Sequence, residues 1–291
     1  MKPASQRRWK FLLKLALVGL VIGLISSWVV GGLLCAPANR PVETPTDLAV
    51  ETITFPSTSG STVHGWLVTP ATNRGVVILQ HGIRGNRADM LGRARFLSQA
   101  GYAVLLFDFQ AHGESPGKHI TLGFLESRDS QAAVGFAKSR FPGKPIAVIG
   151  GSLGAAAAAL AEPPLDVQAM VLELMYPSVI EATKDRCEIV LGRPGRLLSP
   201  LLTAQLRLRL GCGTEDLRPI DQVGKITVPK LFLAGTADHH TKFSEAQEIF
   251  DRAAQPKVFV PFEGAQHQDL HVFAREKYEK LILNFLDEHM K

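Results

Sequence analysis

Four apolar residues, Ile146-Ala147-Val148-Ile149, run directly into Gly150-Gly151-Ser152-Leu153-Gly154, and five alanines, Ala155 to Ala159, follow. No other stretch limits the fold so closely. A short apolar run that ends in glycine reads as a strand covered on both faces. The alanine run reads as a helix that can approach a sheet closely. The turn between them is sharp, and glycines at 150 and 154 remove side chains that would collide there. A serine at the apex of such a turn, in the pattern G-x-S-x-G, sits at the N-terminus of the following helix, whose free N–H groups favour developing negative charge. Ser152 is therefore the candidate nucleophile. The bare pattern also occurs in Gly-Ser turns of no chemical consequence, so the strand before it and the helix after it carry the weight.

From Glu51 onward, short apolar runs alternate with helical patterns, the signature of a largely parallel sheet covered by helices. Strands are predicted at Glu51–Phe55 and His64–Val68, an antiparallel edge pair around the turn at Ser57 to Ser61. Others follow at Val76–Leu79, Ala103–Phe107, Ile146–Ile149, Ala169–Leu174, Lys230–Ala234 and Lys257–Val260, which makes eight. Helical spacing groups Met90 with Ala94 and Leu97, and Leu125 with Ala132, Ala133 and Phe136. A last helix from about Val272 to His289 carries Tyr278, Leu281, Ile282 and Phe285 on one face. The alternation lapses only between Tyr176 and Asp216, and a stretch that long is a functional insertion rather than a bare loop.

Leu15 to Leu34 is a run of twenty residues without a charge. At ~1.5 Å per residue a helix of this length reaches ~30 Å, which matches the hydrocarbon core of a bilayer. Such a helix satisfies its own backbone polar groups in lipid, and Trp28 near the far end suits the interface. Lys2, Arg7, Arg8, Lys10 and Lys14 precede the run with no acid among them, and they account for the whole formal charge of +5. The rest of the chain is electrically balanced, so nucleic acid is not an expected partner. The basic cluster is a positive-inside signal, with the N-terminus in the cytoplasm and the folded part outside.

Two alternatives stay open. Ala36-Pro37-Ala38 resembles the small-residue site of a cleaved secretory signal, although a signal's apolar region is usually only about 7–15 residues long. Cys35 is the other, as a lipidated N-terminus, but Leu34 stands where a small residue is favoured. All three readings export the domain. Pro37, Pro41 and Pro45 mark a stiff linker. The expected division is a basic segment at 1–14, a transmembrane anchor at 15–34, a linker at 35–46 and a catalytic domain at 47–291.

With the serine elbow placed in a strand–turn–helix and the sheet alternation on both sides of it, the chain resembles the α/β-hydrolase superfamily from residue 51 onward. The resemblance implies an eight-stranded, mostly parallel sheet flanked by helices, with a mainly helical cap insertion at about 176–216. In that family the triad runs in the order serine, acid, histidine. Asp238 ends the turn after the strand Leu231 to Ala234, and His267 follows the final strand through Phe262-Glu263-Gly264-Ala265-Gln266. Both match the family's acid and histidine positions. The resemblance makes His267 the general base toward Ser152, and makes Asp238 the group that holds the imidazole tautomer and stabilises its charged form. One oxyanion N–H belongs to Leu153, the residue after the nucleophile. The other belongs to the loop Gln80 to Asn86, where the family's His-Gly pair stands at His81 and Gly82 and makes Ile83 the donor.

Rivals for these roles are Glu173, at an acid position that some hydrolases use, and His239, His240 and His271, read as surface residues. His81 is read as a loop-ordering residue. The segment Asp108 to Ser115 resembles a conserved-type Asp-x-Arg-Gly-His-Gly-x-Ser stretch of the family, with Gln110 and Ala111 replacing the arginine and glycine, and is read as structural. The nine histidines show no metal-ligand spacing, and no metal or other cofactor is expected.

The insertion is strongly apolar through Leu197, Leu198, Leu201, Leu202 and Leu206, with Arg207 and Arg209 adding charge. These leucines suit a small-molecule acyl substrate of apolar character, packing against the core or contact with a membrane. Cys187 and Cys212 both fall in the insertion, and in an exported domain they are candidates for a disulfide. The function expected is a serine hydrolase cleaving a carboxylic ester or related acyl bond through an acyl-enzyme. Peptidase, thioesterase and acyltransferase chemistry stay open because they use the same triad. A non-catalytic membrane-anchored binding module is the alternative from another class.

Overall fold

A computed structural model of the chain describes residues 4–291, with side chains from Arg8 onward. Lys2 of the basic cluster lies outside the described residues, as does the side chain of Arg7. The first element is a long helix, α1 (Ala4–Leu34), whose stretch Arg8–Leu34 contains an 18-residue window with a mean hydropathy of 2.3 and is long and apolar enough to cross a bilayer.

Eight strands form one mixed sheet: β1 (Glu51–Pro56), β2 (Thr62–Val68), β3 (Val76–Gln80), β4 (Ala103–Phe107), β5 (Ile146–Gly151), β6 (Ala169–Glu173), β7 (Lys230–Gly235) and β8 (Lys257–Phe262). Their order is β8-β7-β6-β5-β3-β4-β2-β1. β2 pairs antiparallel with β1 and with β4, and all other pairings are parallel. The strands expected from the sequence are all present, within two residues at each end.

The helices that follow α1 are α2 (Leu91–Gln99), α3 (Glu126–Arg140), α4 (Leu153–Ala159), α5 (Val179–Leu191), α6 (Ser199–Thr203), α7 (Leu206–Leu210), α8 (Pro219–Gln222), α9 (Phe243–Arg252), α10 (Leu270–Phe273) and α11 (Arg275–His289). The last helix expected from the sequence is interrupted at Ala274, whose backbone leaves helical geometry at φ −145°, so the continuous helix begins at Arg275.

The sheet is covered on both faces, which explains its unbroken apolar strands. Side chains alternate along β3: Val76 and Ile78 pack with α3 and α4, while Val77 and Leu79 pack with α2 and α11. α4 lies close to the sheet because its alanines are all buried. Residues 179–210 fold as α5, α6 and α7 with a 3₁₀ turn at Arg193–Leu198, forming a helical cap between β6 and β7.

The proline-rich stretch after α1 is not a free spacer over its first half. The Cys35 carbonyl accepts from Ile120 N–H at 2.9 Å, and Ala38 and Asn39 pair in parallel with His112 and Gly113. Asn39 Nδ2 donates to the Ser115 carbonyl at 2.7 Å, and Val42 is buried against the α2 face of the sheet. These are mainly backbone pairings, which residue type does not announce.

Candidate active site

The elbow takes the form that its glycines require. Ser152 has φ 51° and ψ −108°, a strained backbone for a residue with a side chain. A Cβ at Gly150 would stand 2.5 Å from the Gly154 carbonyl carbon, and one at Gly154 would stand 2.4 Å from the Gln80 carbonyl oxygen. Only glycine allows α4 to close on β3 and β5 at these points. Ser152 N–H donates to the Glu173 carbonyl at 2.8 Å, which pins the strained residue to the end of β6.

Ser152, His267 and Asp238 come from three separate loops and meet in one hydrogen-bonded chain. Ser152 Oγ lies 3.1 Å from His267 Nε2, and His267 Nδ1 lies 2.8 Å from Asp238 Oδ2. Asp238 Oδ1 accepts from His240 N–H at 2.7 Å and from Thr241 N–H at 3.0 Å, which leaves Oδ2 for the imidazole. Burial by itself would raise the Asp238 pKa, but the His267 hydrogen bond and charge and the two backbone N–H groups outweigh it. The carboxyl is held below its ordinary value.

Ile83 and Leu153 share a small apolar cluster with Ala111 and Ile120 beside the elbow. A Cβ on Gly82 would stand 3.9 Å from the Ser152 Cβ, so the loop that carries Ile83 passes next to Ser152. Among the described residues neither Ile83 N–H nor Leu153 N–H has an intramolecular acceptor. His81 is fully buried. Its Nε2 accepts from Phe109 N–H, and its Nδ1 faces the Gly82 carbonyl at 2.7 Å. Burial, with His112 nearby, pushes its pKa down to about 3, so it orders the loop as a neutral ring.

The rivals are engaged elsewhere. Glu173 pairs with Arg93 at 2.7 Å and accepts from Tyr278 Oη, away from His267. His239 is exposed as expected. His271 is not a surface residue: it is buried on Phe96 and faces Glu279 at 2.9 Å. His240 is half-buried, its ring 5.2 Å from that of His267. In the Asp108–Ser115 segment, Asp108 pairs with Arg87 and accepts from Glu114 N–H, and Gln110 binds Glu126 at 2.7 Å.

The expected pairing of Cys187 with Cys212 is absent: Cys35, Cys187 and Cys212 are all free and buried. Cys212 packs with Val179, Leu206 and Leu217, while Cys187 lies on α5 where the chain closes on Gly195, outside that cluster. Of the cap leucines, Leu206 is buried and Leu197, Leu198 and Leu201 are exposed.

Three features of the site escaped the sequence. Arg84, next to Ile83, donates to the carbonyls of Leu33 and Leu34 at the end of α1. Arg93 joins Glu173 to Asp269, two residues beyond His267, at 2.7 and 2.9 Å. His240 and Thr241 orient Asp238 through backbone groups. Only the last had a signal, a turn-forming Asp followed by polar residues.

The sheet order, the elbow and the three loops agree with the resemblance drawn from the sequence, and the known proteins that the chain matches bear it out. The chain belongs to the α/β-hydrolase superfamily. The family model described as serine aminopeptidase, S33, matches residues 71–174, which contain the elbow. An esterase from Pyrococcus furiosus superposes with a TM-score of 0.72 at 26% identity, covering 89% of this chain and 99% of the esterase. The protein YqkD of Bacillus subtilis is 26% identical over 80% of this chain and 78% of its own length. A mouse lysophosphatidylserine lipase is 24% identical over 74% of this chain, but over only 56% of the lipase. This chain is a hydrolase by these relationships.

Proposed function

We propose that the chain is a membrane-anchored serine hydrolase that cleaves a carboxylic ester, or a related acyl bond, through an acyl-enzyme on Ser152. The hydrogen-bonded chain from Ser152 through His267 to Asp238 is the observation that carries this reading. Ser152 Oγ attacks the acyl carbonyl and passes its proton to His267 Nε2. The carbonyl oxygen becomes an oxyanion facing the N–H groups of Ile83 and Leu153, and Asp238 stabilises the imidazolium. As the tetrahedral species collapses, His267 returns the proton to the leaving alcohol. Water then repeats the sequence against the acyl-serine and releases the acid. The esterase and lipase relatives support ester cleavage, and the serine aminopeptidase model keeps amide cleavage as the alternative.

In this reading α1 stays attached as an anchor, with its N-terminus in the cytoplasm and the hydrolase domain outside. Its contacts with the domain support retention. Arg84 binds carbonyls at its end, and Ala38 N–H donates to Ala111 at 2.8 Å, at the position where cleavage would free the chain. The substrate is a small molecule with an apolar acyl group. A fluorophosphonate probe tests the chemistry: it should label the wild type and leave Ser152→Ala unlabelled. Labelling that survived the substitution would place the nucleophile elsewhere.

A further inference from the structure

We infer that the cap is a second membrane-contacting element, lying in the headgroup region of the bilayer with the residues 190–208 against lipid. The inference rests on α1 being a membrane anchor and goes beyond it. Its first support is the way α1 and the cap are joined. Ser27 Oγ donates to the Leu201 carbonyl at 2.9 Å, and Gln205 Nε2 donates to Ser27 Oγ at 2.8 Å. Arg209 donates to the Trp28 carbonyl at 2.6 Å, and its guanidinium lies 4.2 Å from the centre of the Trp28 ring. Gly31 and Gly32 make the approach possible, since a Cβ on them would stand 2.5 Å from Gln205 Oε1 and 3.0 Å from an Arg209 guanidinium nitrogen.

The position of these contacts along α1 brackets the depth of the cap. If the charge-free run Leu15–Leu34 spans the hydrocarbon, Ser27 lies about 10 Å inside its outer end at ~1.5 Å per residue. If the span slides toward the N-terminus, with Lys10 and Lys14 extending to the opposite surface, Ser27 and Trp28 lie at the outer boundary. In both placements α6 and α7 touch α1 at the level of lipid, and the second, which keeps Arg209 out of the hydrocarbon, is the headgroup placement inferred here.

The surface of the cap fits that environment. Val190, Leu197 and Leu208 are 77%, 81% and 83% exposed, and Leu191, Leu198 and Leu201 are also exposed. Among the described residues, the exposed large hydrophobic side chains outside α1 and the cap are Val258, Val272 and Phe273. From Ile189 to Gly213 the chain carries Arg193, Arg196, Arg207 and Arg209 and no acidic residue; Arg196 is paired with Asp185 and Glu188, Arg207 with Glu215, and Arg193 has no ion pair among the described residues. Exposed leucines with an unpaired arginine, Arg193, among them are the composition of an interfacial segment. Arg84 ties the end of α1 to the loop of Ile83, so the same contacts hold the active site beside the membrane surface. A substrate would reach Ser152 from the leaflet.

Full-length protein in nanodiscs, labelled with an environment-sensitive fluorophore at L197C or L208C, tests this. The native thiols are buried, so labelling should be confined to the introduced cysteine. Labels at L20C on α1 and T58C on the β1–β2 turn serve as lipid and water references. The cap labels should shift to the blue and be quenched by brominated lipids, as the α1 label is. Cap labels that behave like T58C beside a quenched α1 label would overturn the inference and leave the anchor standing. An unquenched α1 label would overturn both. The pair L197D and L208D should lower hydrolysis of a long-chain ester in anionic vesicles about tenfold and leave a short, soluble ester unchanged. Equal rates on vesicles would also overturn it.

Discussion

Arg84 holds the Leu33 carbonyl, so the loop that carries Ile83 past Ser152 also closes the C-terminus of α1. The contact sets a cationic donor on orphan carbonyls at the negative end of a helix. Arg84 has φ 59°, a conformation that asparagine tolerates better than most residues. R84N should therefore keep the turn and lose the tie. If Ile83 N–H is the oxyanion donor proposed above, kcat on a soluble ester should fall about threefold to tenfold with KM little changed, since such a donor acts mainly in the transition state. Steady-state kinetics check this.

Glu173 contributes to the site through its carbonyl, which fixes Ser152 N–H, while its carboxylate is bound to Arg93. E173Q should leave a buried guanidinium short of its counter-charge and destabilise the fold by about 3–5 kcal/mol. Turnover at low temperature should survive within several-fold. D238N should show the reverse: a stable fold and kcat reduced about 10⁴-fold, because the imidazole loses its tautomer partner. Thermal melts and kinetics on the two variants separate the roles. Greater catalytic damage from E173Q would reverse the assignment.

The strands were legible because continuous apolar runs are what a doubly covered sheet demands, and Ser152 was legible because its turn needs glycine on both sides. Asp238 and His267 needed the resemblance as well, since an acid and a histidine in loops have no local pattern of their own. What stayed hidden depends on residues far apart in the chain. Arg93 meets Tyr278 across 185 positions and Gln205 meets Ser27 across 178, with no periodicity to signal either. The docking of Ala36–Asn39 runs through backbone groups, and its prolines pointed to stiffness without showing what the segment lies against. His271 reads as a surface residue in the sequence, and the structure stacks it on Phe96, a contact 175 positions away that nothing local announces.

The three thiols lead to a prediction that the spacing of Cys187 and Cys212 had pointed against. Burial raises all three pKa values, with Cys212 pushed up to about 12, so none is a ready thiolate near neutral pH. Protein isolated without reductant should show almost no alkylation when folded and three alkylated cysteines after unfolding. Peptide mapping that recovered a Cys187–Cys212 disulfide would contradict the structure.

Glu245 makes the cap sensitive to pH. It opens α9 by accepting from Lys242 N–H at 3.1 Å, and it lies beside Asp185, which also binds Lys242 and Arg196. Burial and then the Asp185 charge raise its pKa from 4.5 to about 7. A carboxyl raised on folding favours the folded state while protonated. Its contribution is full below about pH 4.5 and is lost as pH rises through about 7. E245Q imitates the protonated acid, keeping an oxygen for Lys242 N–H and a donor for Asp185, and has nothing to ionise. Wild type and E245Q should melt together near pH 5, while near pH 8 the variant should melt about 2–4 °C higher. Melts recorded across that range check this, and a constant difference between the two proteins at every pH would show that Glu245 does not titrate in the folded state.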